Sequence, residues 1–297
     1  MTRYRWTAAD MPAMDGRTVM VTGANGGVGA ATAAAFARVG AHVVLAVRDP
    51  ERGQMAARAL GGSNEVRELD LADLSSIRAF AQSWSGPLDI LVNNAGVAGL
   101  AGTATKDGFD LQFGTNHLGH FALTNHLLPH LTDRVVTVAS GAHRSGTIHF
   151  DDLALRKRKY GLAASYGQSK LANLLFTLEL ERRLQEAGSS VRSLAAHPGY
   201  AATNLGTKGQ PKTLVAAANL AGSIFAQSAQ HGALPSLFAA AQDLPGASYI
   251  GPDGRGELRG SPTLVGRSAA ASDPATARRL WEVSEELTGV GFGLDAD

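Results

Sequence analysis

The sequence predicts a single doubly wound α/β domain, a parallel sheet of about seven strands with helices on both faces. Three observations carry the prediction. Short β-branched runs alternate with alanine-rich, helix-forming stretches from about residue 16 to residue 200. Their spacing is that of βαβ units, whose right-handed crossovers build a parallel sheet covered on both sides. No linker, composition shift or internal repeat divides the 297 residues. The core is therefore expected over about residues 16–250, with a C-terminal extension over about 252–297.

The elements follow in order. "RTVMVTG" (Arg17 to Gly23) reads as a strand ending in glycine, and "AATAAAFARVG" as a helix closed by Gly40. "AHVVLAVRD" is a buried strand, "PERGQMAARALG" a helix opened by Pro50, "NEVRELD" a strand, and "DLSSIRAFAQSW" a helix capped by Asp73. Then come the strand "LDILVN", a long helix from about Gly108 to Leu131, the strand "RVVTVAS", a helix from about Tyr166 to Ala187 and the strand "SVRSLAAHP". After Tyr200 the sheet pattern lapses. Residues of about 204–241, including "TLVAAANLAGSIF", form an apolar helical stretch that is read equally as a substrate lid or as an ordinary packing helix.

Composition excludes several classes. A net charge of +1, with no block of like charge longer than "RKRK" at Arg156 to Lys159, argues against nucleic acid as the main partner. Zero cysteines exclude disulfides, thiolate metal sites and cysteine nucleophiles. The N-terminal stretch has no signal-peptide apolar region, and no run reaches membrane-spanning length without polar breaks, so a soluble, cytoplasmic protein with no integral membrane segment is expected. His117, His120, His126 and His130 share one predicted helix at spacings of three and four, but lack acidic partners nearby; no metal site is expected there.

"TGANGGVG" (Thr22 to Gly29) lies between the first strand and first helix. It does not fit the GxGxxG fingerprint, yet a glycine turn there exposes backbone N–H groups at a helix N-terminus, where a pyrophosphate is stabilised. Gly23 allows a tight exit from the strand, Gly27 a close approach of phosphate, and Gly29 close packing of the helix. Alone, the loop is a weak signal, with a purely structural glycine turn as the alternative. At the end of the second strand, where an acidic residue favours NAD, "LAVRD" places Val47 and Arg48. A guanidinium can hold a 2′-phosphate in a bidentate fork, which favours NADP(H) over NAD(H). A solvated Arg48, neutralised by Asp49, is the competing reading.

"SYGQSK" sets Tyr166 and Lys170 four apart on one helix face. A free tyrosine titrates at about 10, so work near neutral pH needs a lowering of roughly three units, or about 4 kcal/mol. One ammonium about 4 Å away at an effective dielectric of about 20 supplies that amount. The pair is thus read as a general acid/base. Ser140 ends the strand "RVVTVAS" at the same sheet edge, where its hydroxyl can bond a substrate oxygen. Asn93, Asn94, Ala95 and Gly96 end "LDILVNNAG" and suit the border of a nucleotide, while Asn116 in "FGTNHLGHF" is an amide that needs a partner inside its helix.

Together these residues resemble the short-chain dehydrogenase/reductase family, a Rossmann-type fold, over about Gly16 to Thr203. Thr22, Gly23, Gly27 and Gly29 fill its TGxxxGxG pattern, Asn93 to Gly96 its NNAG, and Tyr166 and Lys170 its YxxxK. The resemblance implies a catalytic tetrad of Asn116, Ser140, Tyr166 and Lys170. In it Ser140 orients the carbonyl or hydroxyl and Tyr166 transfers the proton. Lys170 lowers the tyrosine pKa and holds the nicotinamide ribose, and Asn116 supports a water that relays protons to Lys170. It also implies dinucleotide contacts from Asn25 and Val28 in the loop, Asp70 at adenine with Leu71 beside it, Asn94, Ala95 and Gly96, and Pro198, Gly199 and Thr203 near the nicotinamide.

The segment "GTIHFDDLALRKRKYGLAA" separates Ser140 from Tyr166 more widely than is common in the family. With "VRDPERG" and "TNHLGHF", it is similar to the branch holding retinol dehydrogenases and protochlorophyllide reductases. That branch implies NADP(H) and a small lipophilic alcohol or carbonyl, with homodimers or homotetramers as its assemblies. Light-driven reduction relies on a cysteine that this chain lacks. The rival reading is an NADP(H)-binding sensor without turnover; retention of all four tetrad positions argues for the enzyme.

Overall fold

The computed structural model describes residues 5–98, 103–153, 162–200 and 227–294. Eight strands form one sheet: β1 (Thr18–Thr22), β2 (His42–Val47), β3 (Asn64–Glu68), β4 (Leu88–Asn93), β5 (Leu131–Val138), β6 (Arg192–Ala196), β7 (Tyr249–Pro252) and β8 (Pro262–Leu264). Their order is β3-β2-β1-β4-β5-β6-β7-β8. The seven strands expected are parallel throughout; the eighth, β8, pairs antiparallel with β7 at one edge. The chain winds outward from β1 to β3, then returns to β4 on the other side of β1 and winds the opposite way. That reversal opens a crevice at the carboxyl ends of β1 and β4, where ligands bind in such sheets.

The inner strands β1, β2, β4, β5 and β6 form because their β-branched and aliphatic residues are buried on both faces, as parallel strands require, whereas β3 at the edge is only half-buried. Along β1, Val19 and Val21 enter one core with Phe36, Val43 and Leu194, while Met20 enters the other with Val44, Leu91, Phe121 and Trp281. The helices α1 (Gly27–Arg38), α2 (Pro50–Leu60), α3 (Leu74–Gln82), α4 (Leu111–Phe113), α5 (Gly119–Leu127), α6 (Leu162–Glu186), α7 (Ala229–Ala241) and α8 (Pro274–Thr288) cover these faces.

Local chemistry sets their ends. Asp49 caps α2 by accepting from Arg52 N at 3.1 Å, with Pro50 in its first turn, and Asp73 caps α3 by accepting from Ser75 and Ser76. Asp273 and Gly289 bracket α8 in the same way, Gly289 adopting the left-handed conformation. The residues after 252 are part of the core, since α8 buries Leu280 and Trp281.

The long helix expected over 108–131 is segmented. After α4, the backbone widens into a π turn over Gly114–Leu118, resumes as α5 and closes with a tight turn at Leu128–His130 before β5 begins at Leu131. A π turn inserts a residue into the helical ladder and re-aims the side chains on it, and here it contains Asn116. Helix α6 begins at Leu162, so Tyr166 sits in its second turn rather than at its start. Of the apolar stretch at 204–241, residues 229–241 form α7, which packs beside α1; residues 204–226 and Thr203 lie outside the described residues. Among the described residues, no helix is long and apolar enough to cross a membrane.

Candidate active site

The residues singled out by sequence pattern lie at the carboxyl edge of the sheet. Thr22 and Gly23 end β1, Asn93 to Gly96 end β4, Ser140 follows β5, and Pro198 and Gly199 follow β6. Arg48 and Asp70 follow β2 and β3 on the other side of the crevice.

The glycine turn is shaped by close approaches. Gly23 has φ +67° and its N–H donates to the Ala46 carbonyl at 2.8 Å; a Cβ there would lie 3.0 Å from Ala95 Cβ. A Cβ on Gly29 would lie 2.4 Å from Asn94 Nδ2 and 2.5 Å from the Gly23 carbonyl oxygen, so the third glycine packs α1 against the end of β4. Gly26 and Gly27 are exposed, no side chain caps the first turn of α1, and a Cβ on Gly26 would meet nothing within 4 Å. This open, uncapped cradle of N–H groups beside half-buried Asn25 and buried Val28 fits the pyrophosphate of a dinucleotide.

The turn is tied to the β4 end. Thr22 Oγ1 accepts from Asn94 N and Ala95 N, both at 2.9 Å, and Asn94 Nδ2 donates to the Thr22 carbonyl at 2.7 Å. Asp70 Oδ1 accepts from Ala72 N at 3.0 Å, and buried Leu71 packs under Gly119. Arg48 is exposed and, among the described residues, makes no ion pair. Asp49, the competing partner, is engaged at the α2 cap.

Asn116, Ser140, Tyr166 and Lys170 are brought together. A Cβ on Gly96 would lie 3.3 Å from Asn116 Oδ1 and 3.6 Å from Lys170 Nζ, so this glycine leaves the space between them. The Asn116 amide is held on both sides: Oδ1 accepts from Val97 N at 2.8 Å, and Nδ2 donates to the Val97 carbonyl at 2.9 Å and to Ser169 Oγ at 3.0 Å. Ser140 Oγ accepts from Ala142 N at 3.2 Å and hydrogen-bonds the Tyr166 hydroxyl. Lys170 Nζ donates to the Val138 carbonyl at 3.0 Å and lies 5.6 Å from the centre of the Tyr166 ring.

Electrostatics correct one expectation. Burial pushes the Tyr166 phenol above its ordinary value, outweighing the Ser140 hydrogen bond that lowers it. The lowering expected from a lysine four residues on does not emerge, because the ammonium is directed at Val138 and the ring rather than the hydroxyl. Lys170 itself is pushed down to about 8 by desolvation.

Some neighbours were not legible in the sequence. His143 Nδ1 lies 2.7 Å from the Ser140 carbonyl, and His197 Nε2 lies 3.1 Å from Glu257 Oε2, a carboxylate that also pairs with Arg144 at 3.0 Å. Gly199, at φ +65°, donates its N–H to His197 Nδ1 at 3.3 Å. Glu257 comes from a turn 60 residues beyond His197 in the chain and has a left-handed backbone, for which no local pattern existed. Two of the four clustered histidines have separate duties: His117 bonds Ser284 Oγ at 2.9 Å within an aromatic core, whereas His120 faces Thr22.

A doubly wound sheet with an uncapped glycine turn at its switch point and a tyrosine and lysine at the same edge defines a dinucleotide-dependent oxidoreductase. The chain belongs to the short-chain dehydrogenase family, whose model matches residues 17–213; these are alcohol/carbonyl oxidoreductases that use NAD(P). It is similar to retinol dehydrogenase 13 of Homo sapiens, with 43% identity over 291 residues, spanning 93% of this chain and 85% of that protein. A crystal structure of an uncharacterized protein from Mycobacterium paratuberculosis is 53% identical, with a TM-score of 0.86 over 97% of this chain and 99% of the other. A protein described as an NAD(P)-dependent gluconate 5-dehydrogenase from Beutenbergia cavernae, crystallised with NADP, is 28% identical, with a TM-score of 0.59 over 77% of this chain and 91% of the other.

Proposed function

We propose that the protein is an NADP(H)-dependent reductase of small lipophilic aldehydes or ketones, with Tyr166 as the general acid. The observation that carries the reading is the convergence of Ser140, Tyr166, Lys170 and Asn116 beside Gly96 at the carboxyl edge of the sheet. The glycine turn would hold the reduced dinucleotide, whose chemistry when bound would be to supply the hydride to the carbonyl carbon. Ser140 Oγ positions the carbonyl oxygen and polarises the bond. As the C=O π bond opens to the hydride, Tyr166 would give its O–H proton to the substrate oxygen, leaving the alcohol. The phenol is protonated at neutral pH, as a general acid must be before it donates. Lys170, charged below about 8, stands 5.6 Å from the centre of the Tyr166 ring, where its ammonium would hold the nicotinamide ribose.

Arg48 supports NADP(H): it is exposed at the end of β2 with its neighbour Asp49 engaged elsewhere, leaving the guanidinium available to a 2′-phosphate. Asp70 and Leu71 would border adenine, and Pro198, Gly199 and Thr203 the nicotinamide. The lipophilic substrate class rests on the relative whose name specifies retinol, an apolar alcohol.

The test is NADPH oxidation against a panel of aliphatic, aromatic and terpenoid aldehydes and ketones, with Tyr166→Phe as control. Turnover above that control is expected on apolar members of the panel. Tight NADPH binding with no turnover on any of them would instead favour a dinucleotide sensor.

A further inference from the structure

His120 is a buried titratable group that the proposed reaction does not use. Its ring spans two parts of the site. Nδ1 lies 3.0 Å from the Asn116 carbonyl oxygen, which can only accept, so Nδ1 carries the proton. Nε2 is then an acceptor, and the Thr22 hydroxyl, 2.9 Å away, donates to it. The oxygen of that hydroxyl takes the N–H groups of Asn94 and Ala95, both at 2.9 Å. The one donor and two acceptor positions of Thr22 are thereby all used, the Val92 carbonyl at 3.4 Å being the longer alternative for its proton.

The arrangement depends on a neutral imidazole. Protonation would aim an Nε2–H at an oxygen already accepting twice, and would add a second cation near Lys170. Burial, with Lys170 nearby, keeps the ring down at about 4, against the opposing pull of the Asn116 carbonyl. The ring is therefore uncharged across the working pH range.

We propose that His120 is a positioning residue that locks the end of β1 and the Asn94-Ala95 turn to the Asn116 turn, holding the dinucleotide site and the proton-transfer group in one register. The inference rests on the reading of Asn116 and the glycine turn as parts of one reductase site. Three substitutions separate the two ends of the link. His120→Gln puts an amide where Nε2 was and keeps the Thr22 contact; His120→Asn puts one where Nδ1 was and keeps the Asn116 contact; His120→Phe keeps ring bulk and neither contact.

NADPH affinity is read by fluorescence titration, kcat and KM with an active carbonyl substrate, and thermal midpoint for each variant. His120→Gln is expected to keep NADPH Kd within about twofold of wild type while lowering kcat about tenfold, the scale of one buried hydrogen bond. His120→Asn should do the reverse, and His120→Phe should lose both. Thr22→Val, which also removes the acceptor of the Asn94 and Ala95 N–H groups, should lower NADPH affinity at least as far as His120→Asn, and adding His120→Asn to it should cost nothing further. Parallel losses in all three His120 variants that track the thermal midpoint, or no change in any, would overturn the proposal. A wild type that binds NADPH without turnover removes the reductase reading, while the affinity contrast between Gln and Asn still decides the link. A wild type that binds neither NADPH nor NADH removes both.

Discussion

Lys170→Met should make the protein more stable at neutral pH while abolishing its activity. The ammonium is buried, and its fall from 10.5 to about 8 is a desolvation effect, equivalent to about 3 kcal/mol of destabilisation while the folded protein keeps it charged. Methionine matches the stem and carries no charge. The shift already nets the contacts of the charged form, so beyond it the substitution loses only a neutral amine's hydrogen bond to the Val138 carbonyl, about 1 kcal/mol. That carbonyl is not orphaned, since Asn173 Nδ2 also donates to it at 3.1 Å. The net gain is about 2 kcal/mol, or roughly 5 °C in thermal midpoint for a chain of this size.

The pH dependence has a definite sign. A lysine whose folded pKa lies below its unfolded value leaves the unfolded state binding more protons between about 8 and 10.5, so wild-type stability recovers as pH rises through that window. The advantage of Lys170→Met should be full at pH values below about 8 and vanish as pH approaches about 10. Calorimetry of both proteins without dinucleotide, from neutral to alkaline pH, measures it. A lower midpoint for the variant at neutral pH, or a difference independent of pH, would refute the argument.

Other outcomes follow from the same geometry. Arg48→Ala should weaken NADPH binding by about tenfold or more and leave NADH binding nearly unchanged, because a charge-assisted contact to a 2′-phosphate is worth about 1.5–3 kcal/mol; parallel titrations with both dinucleotides check this. Gly29→Ala drives a methyl to 2.4 Å from Asn94 Nδ2, so NADPH affinity and thermal midpoint should both fall, whereas Gly26→Ala, in open space, should leave the midpoint almost unmoved. Trp281→Ala should cost about 3–5 kcal/mol in denaturant unfolding, since the indole is 2% exposed and stacks on Phe176 at 5.8 Å in the core beneath the site.

The sequence by itself determined the winding of the sheet and the glycine turn, and its resemblance to the family singled out Asn116, Ser140, Tyr166 and Lys170. These are local facts: strand and helix periodicity, a turn that only glycine fits, and a tyrosine and lysine one helical turn apart all reside in short stretches of chain. Capping was equally local, so Asp73 could be assigned to its helix from the residues that follow it. The tertiary structure decided what depends on distant partners. The π turn at Asn116, the direction of the Lys170 ammonium, the raised Tyr166 phenol and the link from His120 to Thr22 arise from groups up to 98 residues apart, brought together in the buried interior. Burial sets the sign of a pKa shift there, and sequence spacing alone holds no record of burial.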